Sequence, residues 1–247
     1  MPLVVQNVKP RVILGLMTFG PDESLGARVT SHDEYKKCLD YFQEQGYNEV
    51  DTARLYVGGT QEKFTADAKW KERGLSLATK VYPTTPGTHS PKVLREHFEK
   101  SLSELGTNQV DIFYLHAPDR SIPFAHTLEF VNQLHKEGKF VQLGLSNYTA
   151  FEVAEIVTLC AERGWVRPTI YQGMYNAISE CPLMQSVCDY FLLANSGSSI
   201  YSTWNRNRTD SRMQALWTGY CSVQSTSRRY LDGQVQDSRH TCRRTVQ

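Results

Sequence analysis

Several things are missing from this sequence of 247 residues. No stretch approaches the roughly 18 consecutive apolar residues that a membrane span requires. The first residues, MPLVVQNVKPRVILGLM, have their apolar runs broken by Lys9, Pro10 and Arg11, so they do not read as a signal peptide and a cytoplasmic protein is expected. The formal net charge is only +1, too small to mark a nucleic-acid or membrane-surface partner. The cysteines at 38, 160, 181, 188, 221 and 242 form no C-x-x-C pair and no zinc spacing, so no metal site is expected. Cys38 and Cys160 fall on apolar faces of expected helices and read as core thiols. No G-x-G-x-x-G follows any expected strand, which removes the main support for a Rossmann-type dinucleotide fold.

A further absence divides the chain. Residues 1–180 hold 11 Lys and 15 Glu, whereas residues 181–247 hold neither. That last segment instead carries 8 Arg, 10 Ser, 6 Thr and four of the six cysteines. Helix surfaces normally use Lys and Glu together, and no 3.6-residue apolar period runs through the segment. Two regions follow: a regular α/β unit over 1–180, and an atypical Ser/Arg-rich tail over 181–247, expected to be mostly loop or disorder. Such a change is what an altered splice or reading frame produces. Residues 190–201 are the one stretch there that could supply a strand or short helix.

The first region alternates strands and helices. Strands are expected at 11–17, 48–53, 75–81, 111–117, 141–147 and 169–174. The first helix opens at Ser31 with Glu34 three residues on, a capping box, and buries Tyr35, Cys38, Leu39 and Phe42 before Gly46. A short helix covers roughly 60–73. The next opens with Ser90 as cap and Pro91 at its first position, and closes at Gly106. A fourth spans about 124–137, and a fifth follows the Thr149/Glu152 capping box to about 163. The strands are apolar runs, so both sheet faces should be covered. Six such repeats fit a (β/α)₈ barrel, for which about 250 residues is typical, or an open doubly wound sheet. Periodicity does not choose between them; the missing glycine fingerprint favours the barrel.

In a barrel the chemistry lies at the C-terminal strand ends. There stand Asp51 after strand 2, with Tyr56 five residues on, Lys80 at the end of strand 3, His116 at the end of strand 4, Ser146 and Asn147 at the end of strand 5, and Gln172 in strand 6. A tyrosine is a weak acid near neutrality, but an ammonium beside it favours the phenolate. A carboxylate can hold that lysine charged, and a histidine can hydrogen-bond a carbonyl oxygen. Singly, each has a plainer reading: a structural ion pair, a satisfied core histidine, a packed tyrosine. Together, at consecutive strand ends, they make a coherent acid–base set.

These residues sit in V-D-T-A-R-L-Y (50–56), A-T-K (78–80), Y-L-H (114–116), G-L-S-N (144–147) and Y-Q-G-M-Y-N (171–176). The set resembles the aldo-keto reductases over residues 11–178. The likeness is to their aflatoxin-aldehyde reductase branch in G-L-M-T-F-G, L-Y-V-G-G-T-Q and Y-L-H-A-P-D-R. The resemblance implies an α/β (β/α)₈ barrel, incomplete here after strand 6, and NADPH-dependent reduction of a small aldehyde or ketone to an alcohol, in detoxification or specialised metabolism. It implies that Tyr56 gives the proton, that Lys80 held by Asp51 eases its release, and that His116 orients the carbonyl. Ser146, Asn147 and Gln172 would grip the nicotinamide carboxamide, and Met17 and Thr18 would border its pocket. The branch tends to dimerise, so a homodimer is expected. The family's phosphate-binding segment follows strands 7 and 8, where 181–247 shows no matching motif. Two alternatives therefore stand beside the reductase: a truncated, inactive remnant, and a non-catalytic cofactor-sensing subunit like the potassium-channel β subunits.

Overall fold

The structure, a computed structural model, describes residues 11–173 and the backbone of 221–223. Its elements alternate as β1 (Ile13–Gly15), α1 (His32–Glu44), β2 (Glu49–Asp51), α2 (Gln61–Asp67), β3 (Ser76–Val81), α3 (Pro91–Leu105), β4 (Val110–Leu115), α4 (Phe124–Lys136), β5 (Phe140–Ser146), α5 (Ala150–Arg163), β6 (Pro168–Gly173) and β7 (Cys221–Val223). All strands are parallel and join one sheet in sequence order. A doubly wound sheet reverses its strand order at a switch point. This one never does, so the winding is that of a (β/α)₈ barrel.

Six strands fall where the apolar runs place them, although β1 is only three residues long. A seventh, Cys221–Val223, adds parallel to β6 in a stretch whose composition pointed to loop. Among the described residues β1 and β7 remain the two ends of the sheet. The 190–201 stretch lies outside the described residues.

Alternation along each strand sorts the side chains into two layers. Leu77, Val81, Phe113, Leu115, Leu143 and Leu145 face the helices and pack with Tyr35, Leu39, Leu94, Phe98, Val131, Leu134 and Ile156. Each such residue removed from water contributes about 1.5–3 kcal/mol. The opposite face carries a small cluster of Ala78, Ile112, Tyr114 and Ile170. Gly144 makes room for it: a Cβ there would stand 2.3 Å from Tyr114 Cδ1.

The helix ends follow local chemistry. Ser31 Oγ accepts from the backbone N–H groups of Asp33 and Glu34, and Thr149 and Glu152 form a complete capping box. Gly106 ends α3 in the left-handed conformation, at φ 67°. Three expectations need correction. Ser90 precedes α3, but its hydroxyl donates back to Gly87 O at 2.7 Å instead of capping the helix. α2 stops at Asp67, well before residue 73, and Lys69 follows in a left-handed conformation at φ 64°. Cys38 is exposed, at the edge of the apolar stripe of α1, whereas Cys160 is buried.

Candidate active site

Lys80 and Asp51 form the centre of the site. They end neighbouring parallel strands, and alternation puts both on the face that carries Ala78 and Tyr114. Lys80 is fully buried and Asp51 nearly so. Two charges removed from water need every hydrogen bond satisfied. An ammonium has three donors and no acceptor. Lys80 Nζ donates to Asp51 Oδ2 at 2.6 Å, to Thr52 O at 2.8 Å and to Tyr56 Oη at 3.3 Å. Burial works against the charge, but Asp51 and Tyr56 outweigh it, and the Lys80 pKa stands above the ordinary lysine value.

The direction of the third bond follows from this chemistry. Lysine can only donate, so the Tyr56 oxygen accepts and the phenolic hydrogen points elsewhere. Tyr56 reaches this place from a short 3₁₀ turn, Tyr56–Gly59, in which Val57 lies at φ 48° and Gly58 at φ 61°. A β-branched residue in that region is strained, and the turn needs something to hold it.

His116 follows β4 and is half-buried. Its backbone N–H donates to Val81 O at 3.1 Å, and its carbonyl accepts from Asn147 Nδ2 at 2.8 Å. The ring meets Tyr56 edge-on at a centroid distance of 5.9 Å, and Tyr82 edge-on at 5.4 Å. Burial first, then the Lys80 ammonium and His89, lower its pKa to about 3. The ring is therefore a neutral hydrogen-bonding group at ordinary pH. Its Nδ1 is buried without a hydrogen-bond partner among the described residues, an arrangement expected of a group that meets a ligand.

The remaining polar residues link to this centre. Gln172 Nε2 donates to Asp51 Oδ2 at 3.2 Å across the concave face. Asn147, left-handed at φ 61°, also donates to Ser146 Oγ at 3.1 Å. The Ser146 hydroxyl hydrogen and the amide oxygens of Asn147 and Gln172 are thus not consumed by these bonds. Donor and acceptors of that kind complement a carboxamide, so the residues present fit a nicotinamide. Met17 and Thr18 follow β1, where Leu16 N–H donates to Asp51 O at 2.9 Å. Met17 is exposed, and the Thr18 carbonyl is taken by the N–H groups of Arg28 and Val29.

The structure thus gathers Asp51, Tyr56, Lys80, His116, Ser146, Asn147 and Gln172 into one connected set, with Met17 and Thr18 in the turn after the adjoining strand β1. Sequence reasoning missed Tyr82, although it stands two residues after Lys80 and so shares its face. It also missed the buried pair Arg54 and Glu62, for which a pattern that places charge outside gives no signal. Among the described residues no group of three or more His, Cys, Asp or Glu side chains could hold a metal. No described helix is long and apolar enough to cross a membrane.

The model of the Aldo/keto reductase family matches residues 11–187. Human aflatoxin B1 aldehyde reductase member 2 is 47% identical over 174 residues, 68% of this chain and 46% of that protein. The aldo-keto reductase pigE of Monascus ruber is 41% identical over 177 residues, 68% of this chain and 52% of its own. The chain therefore spans about half the length of the curated relatives it matches. An aldo-keto reductase from Klebsiella pneumoniae, solved in complex with NADPH, has a TM-score of 0.62 at 23% identity, over 74% of this chain and 61% of that one. At that identity the likeness speaks for the fold alone.

Proposed function

The chain belongs to the aldo/keto reductase family, and from that premise we propose that it reduces an aldehyde or ketone to the alcohol with NADPH. The observation that carries this reading is Lys80 Nζ, bonded to both Asp51 Oδ2 and Tyr56 Oη. NADPH, when bound, supplies the hydride. Tyr56 gives its phenolic proton to the substrate oxygen, which becomes the alcohol hydroxyl. The Lys80 ammonium, held by Asp51, offsets the negative charge left on Tyr56. Neutral His116 donates a hydrogen bond to the carbonyl oxygen and fixes its position. Preorganised donors aimed at developing oxyanion charge supply the largest part of such catalysis. Ser146, Asn147 and Gln172 hold the carboxamide, and Met17 and Thr18 border the ring. Substrates of the detoxification or specialised-metabolism kind, and a cytoplasmic site of action, belong to the same reading. It draws support from relatives named as an aflatoxin B1 aldehyde reductase and as pigE.

A second reading, a chain that keeps this site without turnover, is favoured by the composition of 181–247, which lacks Lys and Glu. Quenching of tryptophan fluorescence by NADPH, measured together with reduction of 4-nitrobenzaldehyde, separates the two. Binding at roughly micromolar to millimolar concentration with turnover supports the reductase. Binding without turnover supports the second reading, and absence of binding by folded protein overturns the reductase and leaves the inactive remnant.

A further inference from the structure

Tyr56 opens a turn held only in part by its own hydrogen bonds, Thr60 N–H to Val57 O at 3.1 Å and Thr60 Oγ1 to Val57 O at 2.7 Å. After it come Val57 at φ 48°, Gly58 at φ 61° and Gly59 at φ 87°, three successive residues in a region that only glycine occupies readily. The Tyr56 side chain nonetheless has to keep its oxygen at Lys80 Nζ, 3.3 Å away.

What grips this turn is an ion pair beneath it. Arg54, two residues before Tyr56, folds back so that Nη2 donates to Gly59 O and Nη1 to Glu62 Oε2. A Cβ on Gly59 would stand 2.9 Å from Arg54 Nη2, so the glycine lets the guanidinium cover its carbonyl. Glu62, on α2, is fully buried, and its other oxygen accepts from Thr79 Oγ1 at 2.6 Å. Thr79 immediately precedes Lys80, and Arg54 N–H donates to Lys80 O at 2.9 Å. The network thus starts at one end of the turn, crosses to the other, and is fastened to β3 on either side of the peptide that carries Lys80. Apolar side chains would fill the same space without the desolvation cost of two buried charges. A planar fork that bonds two acceptors at once supplies direction, which apolar packing does not.

We infer that Arg54 and Glu62 are positioning residues for the acid–base pair, setting the Tyr56 oxygen against the Lys80 ammonium. This rests on the reductase reading for its effect on turnover, but not for its effect on Tyr56 itself. Neither side chain belongs to the connected set of residues proposed to contact substrate or nicotinamide, so their loss should change the chemical step and not cofactor affinity.

The test uses the full chain with tyrosine labelled at Cζ, the Tyr56 resonance being assigned by its loss in Tyr56→Phe. In Arg54→Met and Glu62→Gln the Tyr56 Cζ resonance should move from its position in the unsubstituted chain, as the Lys80 ammonium is no longer held beside the phenol oxygen. NADPH affinity, read by fluorescence quenching, should stay within about twofold, while kcat for 4-nitrobenzaldehyde falls about 10²-fold, the scale of a misplacement near 1 Å. Where Arg54→Met fails to fold, Glu62→Gln, nearly the same shape, decides. An unchanged Tyr56 resonance in a folded variant overturns the inference, whether or not the chain turns over. A chain without turnover whose Tyr56 resonance still moves upholds the positioning role and overturns only the reductase reading.

Discussion

Gln172 on β6 donates a hydrogen bond of 3.2 Å to the Asp51 carboxylate on β2. Four strand spacings separate these strands in the sheet order. In a flat sheet they would lie about 19 Å apart. The contact therefore requires the sheet to be curled, with its inner face drawn around the ion pair. The same curvature lets residues from β2, β3, β5 and β6 and the loops after them meet at one rim, so the site is a product of the barrel winding.

On the reductase reading, the Asp51–Lys80 pair should serve chemistry more than stability. Removing one partner of a buried pair leaves an uncompensated charge, at a cost of about 3–5 kcal/mol. Asp51→Asn should lower the midpoint of urea unfolding by a corresponding amount. The double change of Asp51→Leu with Lys80→Met should recover most of that stability, yet show no carbonyl reduction. A double variant as unstable as the single one would show that the pair is needed for folding itself.

His116 should remain neutral well into the acid range. Burial and the Lys80 ammonium depress its pKa to about 3 in the folded chain, while the unfolded chain takes up the proton near 6.5. The folded state binds fewer protons in between. The contribution of this group to stability is thus fully present above about 6.5 and is lost as the pH falls toward 3. Nitrogen-detected NMR of the imidazole checks this directly. Titration of His116 near 6.5 would show that the ring is not shielded as described.

Gly144 should tolerate no side chain. A Cβ at 2.3 Å from Tyr114 Cδ1 and 3.0 Å from Ile170 Cγ2 forces a buried ring to move. Overpacking of this kind costs about 1–3 kcal/mol. Gly144→Ala should lower the melting temperature, and Tyr114→Leu in the same chain should restore part of the loss. Equal melting temperatures for Gly144→Ala and the unsubstituted chain would mean that the inner face is looser than these distances.

Much of this was legible in the residues. The apolar runs located six strands, because buried parallel strands leave no polar alternation to confuse with loop. Asp51, Lys80 and His116 could be placed at a common rim from their positions at strand ends. The winding was not legible from the apolar pattern, since periodicity is a property of each element and winding is a property of their order. Cys38 was misplaced because an apolar stripe has edges, and one residue at the edge lies against solvent. α2 is shorter than its pattern because Lys69 turns left-handed, which no apolar spacing announces. Arg54 and Glu62 stayed hidden because a charged residue is read as exposed until its partner is seen.

The most direct test is a single turnover of the full chain with saturating NADPH and 4-nitrobenzaldehyde, beside Tyr56→Phe. Loss of the phenolic proton should slow hydride transfer by about 10²–10⁴-fold while NADPH binds both chains equally. Hydride transfer at the same rate in Tyr56→Phe would contradict the assignment of Tyr56 as proton donor, and with it the role given to Lys80 and Asp51.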